Sequence, residues 1–474
     1  MLFNSFIFFI FLLIVLPIFY LLPSKKYKNF FLVISSYTFY GYWDWRFCVL
    51  LFISTLIDYF VGRKIFTLNN PQIRKKILFI SLISNLGILF TFKYFNFFIS
   101  SFESLTKTFG GNLDFLHLNI ILPVGISFYT FQTLSYTIDI YRKKIEPTSN
   151  FIDFALFVSF FPQLVAGPIE RAKSLLPQLS KKMSPTRQQI KTGITLIVIG
   201  LFKKVMIGDT CGKFVDHIFG NIDLYQSIEL LSALILFSIQ IYADFSGYSS
   251  IARGTAKLLG IDLIRNFNQP YLSRNITEFW RRWHISLSMW LKDYLYITLG
   301  GNKKGTSRTY INLYITMLLG GLWHGASWNF VVWGGLHGFY LSLHKLFLGN
   351  NKINNSNIIK VTIKDIVNIF STYILVLFTW LFFRSTSWES TVQFINKIIY
   401  WESSEYYFLF ISIVFTYLFI TILIDIFEYR TNSHSFILKI NSNAIISGIL
   451  LGLFLITFMY MLQSNSMPFL YFQF

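Results

Sequence analysis

Long apolar runs alternate along this chain with short polar breaks that gather most of its lysines and arginines. The runs reach about 17–25 residues, the length an α-helix needs to cross roughly 30 Å of hydrocarbon. The pattern predicts an all-α, polytopic integral membrane protein. Leu2–Leu22 lacks a basic n-region and a convincing small-residue cleavage site, and further spans follow it, so it is expected to remain as the first helix.

Basic breaks fall at Lys25–Lys28, Arg63–Lys76, Arg142–Lys144, Lys173–Arg187 and Lys303–Arg308. Short basic loops face the cytoplasm, and this bias sets the path of the chain. Residues 29–62 lie between two such loops and must go out and return, turning at Gly41-Tyr42-Trp43-Asp44-Trp45-Arg46. Residues 77–99 then cross outward and 118–141 cross back. Residues 151–170 again have basic flanks, but Pro162, Gly167 and Pro168 break the run. Broken backbone at membrane depth is tolerated only against protein or a watery cavity, so a re-entrant segment is expected. Segments near 190–210 and 227–247 form another out-and-back pair. The stretch 275–300, interrupted by Arg281, Arg282 and His284, reads as a helix dipping in from the cytoplasmic surface. Glycine-rich apolar sequence follows over 309–348, with further spans near 366–384, 406–427 and 444–464 and a polar linker at 350–360. No repeat of fixed period appears, which weighs against a transporter built from duplicated halves.

Composition agrees. Charged residues make up 13% of the chain, against about 25% in soluble domains, and aromatics reach 20%. The net charge of +19 is concentrated in the short loops. It therefore reads as topology signal and contact with anionic membrane lipids, with no nucleic acid implied. A basic surface that recruits an anionic donor is the competing reading. Cys48 and Cys211 supply neither a disulfide framework nor metal-ligand spacing, and no metal site is expected. The chain has no Walker loop, HExxH pair, GxSxG elbow or CxxC, so nucleotide hydrolysis, zinc proteolysis and serine-hydrolase chemistry lack support.

Ionisable residues within membrane spans are costly and mark functional sites by default. The strongest candidate is His324, in Leu322-Trp323-His324-Gly325. Apolar surroundings favour a neutral imidazole, the form that accepts a proton as a general base. The neighbouring glycines permit close approach of a backbone or a substrate. A bundle histidine bonded to a carbonyl is the competing reading. His284 follows Arg281 by three residues, which on a helix places the two side by side. Guanidinium groups suit phosphate, so Arg281 and Arg282 could hold a phosphate-bearing donor, or could simply snorkel from an interfacial helix. Asp244 could orient a histidine, bind a polar substrate or cap a helix. His337 is better suited to packing.

In order, Gly125–Gln132, Gln163–Ile169, Asp244–Tyr248, Phe267–Tyr271, Phe279–Ser288, Gly320–Gly325 with Trp328-Asn329-Phe330, and Leu381–Arg384 form a series over about residues 120–385. Each is weak alone. The ordered set resembles the membrane-bound O-acyltransferase superfamily, nearest its bacterial alginate O-acetyltransferase branch, which includes membrane subunits for peptidoglycan and cellulose acetylation. The resemblance implies a single membrane acyltransferase domain over 1–474, with C-terminal helices over about 386–474. It implies a ring of about eleven transmembrane helices with re-entrant segments around a funnel. It assigns catalysis to His324 and a second important role to His284. Gln163, Trp323 and Asn329, with Arg281, Arg282 and Asp244, become candidate substrate-binding residues. Many relatives carry an acidic residue where this chain has Ser250, so no role is assigned to that position. The implied reaction takes an acetyl group from a cytoplasmic thioester, acetyl-CoA or an acyl-carrier thioester, with no bound cofactor. The acetyl would reach an exopolysaccharide or peptidoglycan through an extracytoplasmic SGNH-type partner at the cell inner membrane. D-alanyl transfer to teichoic acid from a carrier-protein thioester is the alternative within the enzyme class. A polysaccharide flippase is the alternative outside it.

Overall fold

The computed structural model describes residues 1–111, 115–165, 167–348, 362–464 and 467–472. Ala166 and the expected linker at 350–360 lie outside them. All regular elements among the described residues are helical. Five helices are long and apolar enough to cross a membrane, namely Pro71–Thr108, Ser227–Leu258, Ile363–Arg384, Tyr407–Thr431 and Asn443–Gln463. The chain packs as two compact units, one of residues 1–194 with 252–264, the other of 195–251 with 265–474.

The first unit holds α1 (Phe6–Leu21), α2 (Lys25–Gly41), α3 (Arg46–Thr67), α4 (Pro71–Leu89), α5 (Phe95–Thr108), α6 (Ile126–Tyr141), α7 (Phe151–Ser159), α8 (Phe161–Leu164), α9 (Ala172–Leu179) and the start of α10 (Arg187–Leu201). The out-and-back path expected for 29–62 is the α2–α3 pair. At its turn Arg46 donates to Asp44 at 2.5 Å, and this bond holds the Asp44 carboxyl below its ordinary range. The Asn70 side chain accepts from the Gln72 and Ile73 amides and Pro71 takes the first turn, a favourable helix start. The expected span 77–99 therefore begins earlier, and it runs through a π-turn at Phe90–Tyr94 into α5. The run expected over 118–141 turns helical only at Ile126. Gly125 precedes it at φ +75°, where a Cβ would lie 2.9 Å from the Leu164 carbonyl oxygen, so only glycine fits. The broken segment expected at 151–170 is α7 and α8, which part at Phe160 and are buried from Asp153 through Val165. Several buried polar groups inside this unit pair with one another. Asp58 accepts from Ser81 at 2.5 Å and from Asn85 at 2.9 Å, and Asp153 binds Lys25 at 2.6 Å, as burial requires.

The second unit holds the rest of α10, a π-helical turn at Phe202–Asp209, α11 (Thr210–Phe219) and most of α12 (Ser227–Leu258). It continues with α13 (Ile276–Arg282), α14 (Ile285–Trp290), α15 (Thr306–His324), α16 (Trp328–Leu348), α17 (Ile363–Arg384), α18 (Trp388–Ile399), α19 (Tyr407–Thr431) and α20 (Asn443–Gln463). The most apolar stretch of α12 is 83% buried, against 11% in α19 and in α20. The first is therefore a core helix, and the other two turn apolar surface outward. The single dipping helix expected over 275–300 is instead two short helices and a π-turn at Leu291–Tyr296, broken at Trp283-His284. The glycine-rich 309–348 run is a tight pair. A Cβ on Gly321 of α15 would overlap the Phe330 carbonyl oxygen and reach Gly334 of α16 at 3.0 Å. Small residues that let helix backbones meet are the usual device for packing within a bilayer.

Candidate functional site

His324 is the last residue of α15, which ends because Gly325 is fully extended. The contacts between α15 and α16 explain two of the small residues around this histidine. Gly321 admits the backbone of α16, and Gly325 makes room for the Phe330 ring. The His324 ring is 2% exposed and lies at 5.0 Å from Trp323 and from Trp333 of α16. It lies at 5.3 Å from Phe383 of α17 and from Tyr471.

His284 reaches the same place by a kink. It has φ +39° and ψ 57°, the left-handed region that non-glycine residues occupy at an energetic cost and that clusters at functional sites. The loop at Asn266–Asn268 holds the kink in place. Ile285 N–H donates to the Asn266 carbonyl at 2.8 Å, the Ser286 hydroxyl donates to the Asn266 side chain at 2.9 Å, and Asn268 N–H donates to the Arg282 carbonyl at 2.9 Å. His284 is 0% exposed. Its ring meets Phe245 edge-on at 4.7 Å, with Trp323 at 5.9 Å and Tyr471 at 6.4 Å. The two imidazoles therefore converge on two shared rings, Trp323 and Tyr471. A pair of buried imidazoles inside an aromatic box suits proton transfer to and from a bound hydroxyl.

The break at Trp283 also corrects one expectation. Arg281 and His284 are not stacked one turn apart, because the helix ends between them. Arg281 is exposed and has no ion pair among the described residues. Arg282 donates to Glu278 at 2.7 Å, to the Asn268 carbonyl at 3.3 Å, and lies over the Tyr429 ring. Asp244 sits inside α12, buried beside Lys204 at 2.5 Å, and does not start a helix. Asn329 donates to the carbonyls of Ser385 and Ser387 at 3.0 and 3.1 Å and so ties α16 to the link between α17 and α18. Gln163 belongs to the first unit, where it donates to Gln132 at 2.5 Å. His337 has both nitrogens engaged. Trp280 donates to Nδ1 at 3.2 Å, and Nε2 meets Thr379 at 3.0 Å. The Thr379 hydroxyl is spent on the Val376 carbonyl, so Nε2 carries the hydrogen. That arrangement is a support for Trp333, whose ring it meets at 4.7 Å.

Sequence reasoning missed Tyr471 and Lys204. A signal existed for the second, since Lys203-Lys204 interrupts an apolar run and intramembrane charge is informative. Nothing in the pattern flags Tyr471, which lies among the chain's last few residues.

A model described as MBOAT, the membrane-bound O-acyltransferase family, matches residues 90–383. The chain is similar to a probable alginate O-acetylase of Pseudomonas aeruginosa, 41% identical over 79% of this chain and 71% of that one. It is also similar to a peptidoglycan O-acetyltransferase of Helicobacter pylori, 36% identical over 78% and 73%. Similarity to a teichoic acid D-alanyltransferase of Bacillus subtilis is lower, 27% identical over 49% and 62%.

Proposed function

The chain belongs to the membrane-bound O-acyltransferase family, a multi-pass membrane enzyme of acyl transfer, and from that premise we propose that it passes acetyl from acetyl-CoA to a hydroxyl destined for an extracytoplasmic polymer. His324 takes the hydroxyl proton while the oxygen attacks the thioester carbonyl. The tetrahedral centre collapses to an ester, and the departing thiolate recovers the proton from His324. General-base catalysis of this kind contributes about 10²–10⁴-fold, and fixed geometry in a dry site supplies much of the rest. His284 stabilises developing charge or holds the donor, and exposed Arg281 attracts the donor phosphates. The polymer is a polysaccharide or peptidoglycan, reached through an SGNH-type partner outside the inner membrane.

The observation that carries this reading is the convergence of His324 and His284 on the same two rings. Acetyl transfer is favoured over D-alanyl transfer because both named acetyl-transfer relatives match more of the chain at higher identity. The test is transfer from labelled acetyl-CoA by the purified full chain. His324→Ala is expected to abolish transfer in protein that still elutes and unfolds as a folded chain. Transfer that survives the substitution overturns the mechanism, and a preference for a D-alanyl carrier thioester overturns the choice of donor.

A further inference from the structure

Lys204 lies in the π-turn that continues α10, and is buried. π-turns inside helices recur at functional sites. The Lys204 ammonium reaches Asp209 at 2.6 Å and Asp244 of α12 at 2.5 Å. It also donates to the carbonyl oxygen of Pro468 at 3.3 Å. The other oxygen of Asp244 accepts the backbone N–H of Leu470 at 2.7 Å. These bonds run from the middle of the chain to its C-terminal residues. Between them Phe469 stacks on Tyr248 at 4.6 Å, and just beyond them Tyr471 packs on Phe245 at 4.5 Å. The Tyr471 ring thereby comes to lie against His324 and His284.

The bond to Leu470 gives the arrangement its logic. Asp244 meets the Lys204 ammonium with one oxygen and the Leu470 N–H with the other, and a backbone N–H pointed at a carboxylate is a strong, charge-assisted hydrogen bond. Lifting the segment away would strip that bond from a buried charge and remove a carbonyl from a buried ammonium. A displaceable cover would be attached through apolar contacts that can re-form elsewhere. This segment has apolar contacts too, but it is also attached through groups that are costly to leave unpaired.

We propose that Lys204, Asp209 and Asp244 are positioning residues that clamp residues 467–471 as a fixed wall of the histidine site. The functional side of this idea rests on the acyl-transfer reading, but its structural side does not. Lys204→Met breaks the clamp from one end. Leu470→Pro removes the single N–H from the other end and leaves all three charged groups in place, which guards against a Lys204→Met chain that fails to fold. Hydrogen–deuterium exchange of the C-terminal peptide, measured on the detergent-solubilised full chain, is expected to be slow in the parent and at least about tenfold faster in both variants, as local opening becomes easier. With acetyl-CoA as probe, kcat is expected to fall on the order of 10²-fold with KM within about twofold. The double variant should lose no more than the worse single, and Lys204→Arg should restore part of the loss.

Unchanged exchange in Lys204→Met overturns the clamp. A faster reaction in Leu470→Pro overturns the fixed wall in favour of a removable cover. Losses that multiply in the double variant show that Lys204 acts elsewhere, and overturn the proposal too. Transfer that persists in His324→Ala would instead overturn the acyl-transfer mechanism, while the exchange data would still decide the clamp.

Discussion

The contact between α15 and α16 sets where His324 stands, and a single methyl group tests it. In Gly321→Ala the added Cβ would overlap the Phe330 carbonyl oxygen and lie 3.0 Å from both the Cα and the nitrogen of Gly334. All of these are backbone atoms, so no flexible side chain can swing aside and the helices must separate. Overpacking typically costs about 1–3 kcal/mol, and a clash against backbone on two sides belongs at the upper end. Alanine returns up to about 1 kcal/mol of helix propensity, which leaves a net loss of about 2 kcal/mol. Gly448→Ala in α20 is the control, because a Cβ there meets nothing within 4 Å. It should stabilise by up to about 1 kcal/mol. Thermal unfolding of both variants in one detergent, followed by tryptophan fluorescence, should give shifts of opposite sign. Transfer activity should drop in Gly321→Ala, because a shift of about 1 Å at a catalytic group can cost 10²-fold, and should stay at the parent level in Gly448→Ala. A Gly321→Ala protein that melts at or above the parent would refute the close-packing argument.

Three further outcomes follow from the same geometry. Lys203→Met leaves Glu428 buried without the ammonium now 2.6 Å away, and should cost about 3–5 kcal/mol; a melting curve indistinguishable from the parent would show that the pair contributes nothing. Asn329→Leu removes the donors to Ser385 and Ser387 and should destabilise by about 1–3 kcal/mol, with lower melting and faster proteolysis between α17 and α18 as the readouts. Arg281→Ala touches no ion pair among the described residues, so melting should hold while KM for acetyl-CoA rises at constant kcat. An unaltered KM would remove Arg281 from donor binding.

The helices were legible because the bilayer imposes one strong rule. Runs of the right length between basic loops predicted α2 with α3, the broken segment at α7 and α8, and the three late spans, all of which the fold contains. Boundaries were less legible where a local device decided them. Asn70-Pro71 starts α4 before the apolar run begins, and Gly125 delays α6 because the Leu164 carbonyl leaves room for no side chain. Periodicity carries no information about such contacts. The kink at His284 is the sharpest case. Helical spacing placed Arg281 beside it, yet the bonds from Asn266 and Asn268 hold a left-handed residue where the pattern suggested continuous helix.

The candidate site divides along the same line. His324 and His284 stood out because an imidazole in an apolar run is conspicuous at its own position. The roles of Asp244 and Lys204 did not, because what each does depends on residues far away in sequence. Asp244 read as a possible cap or ligand, whereas in the fold it is one corner of an ionic cluster whose other contacts come from α10's π-turn and from Leu470, 226 residues further on. Tyr471 is the extreme case. Its neighbours along the chain, Pro468-Phe469-Leu470 and Phe472, are apolar and uncharged, with nothing to mark a site. The bonds made by Pro468 and Leu470 help to turn it toward the histidines. A buried charge near a functional site is therefore better judged by the distant backbone it holds than by the motif in which it sits.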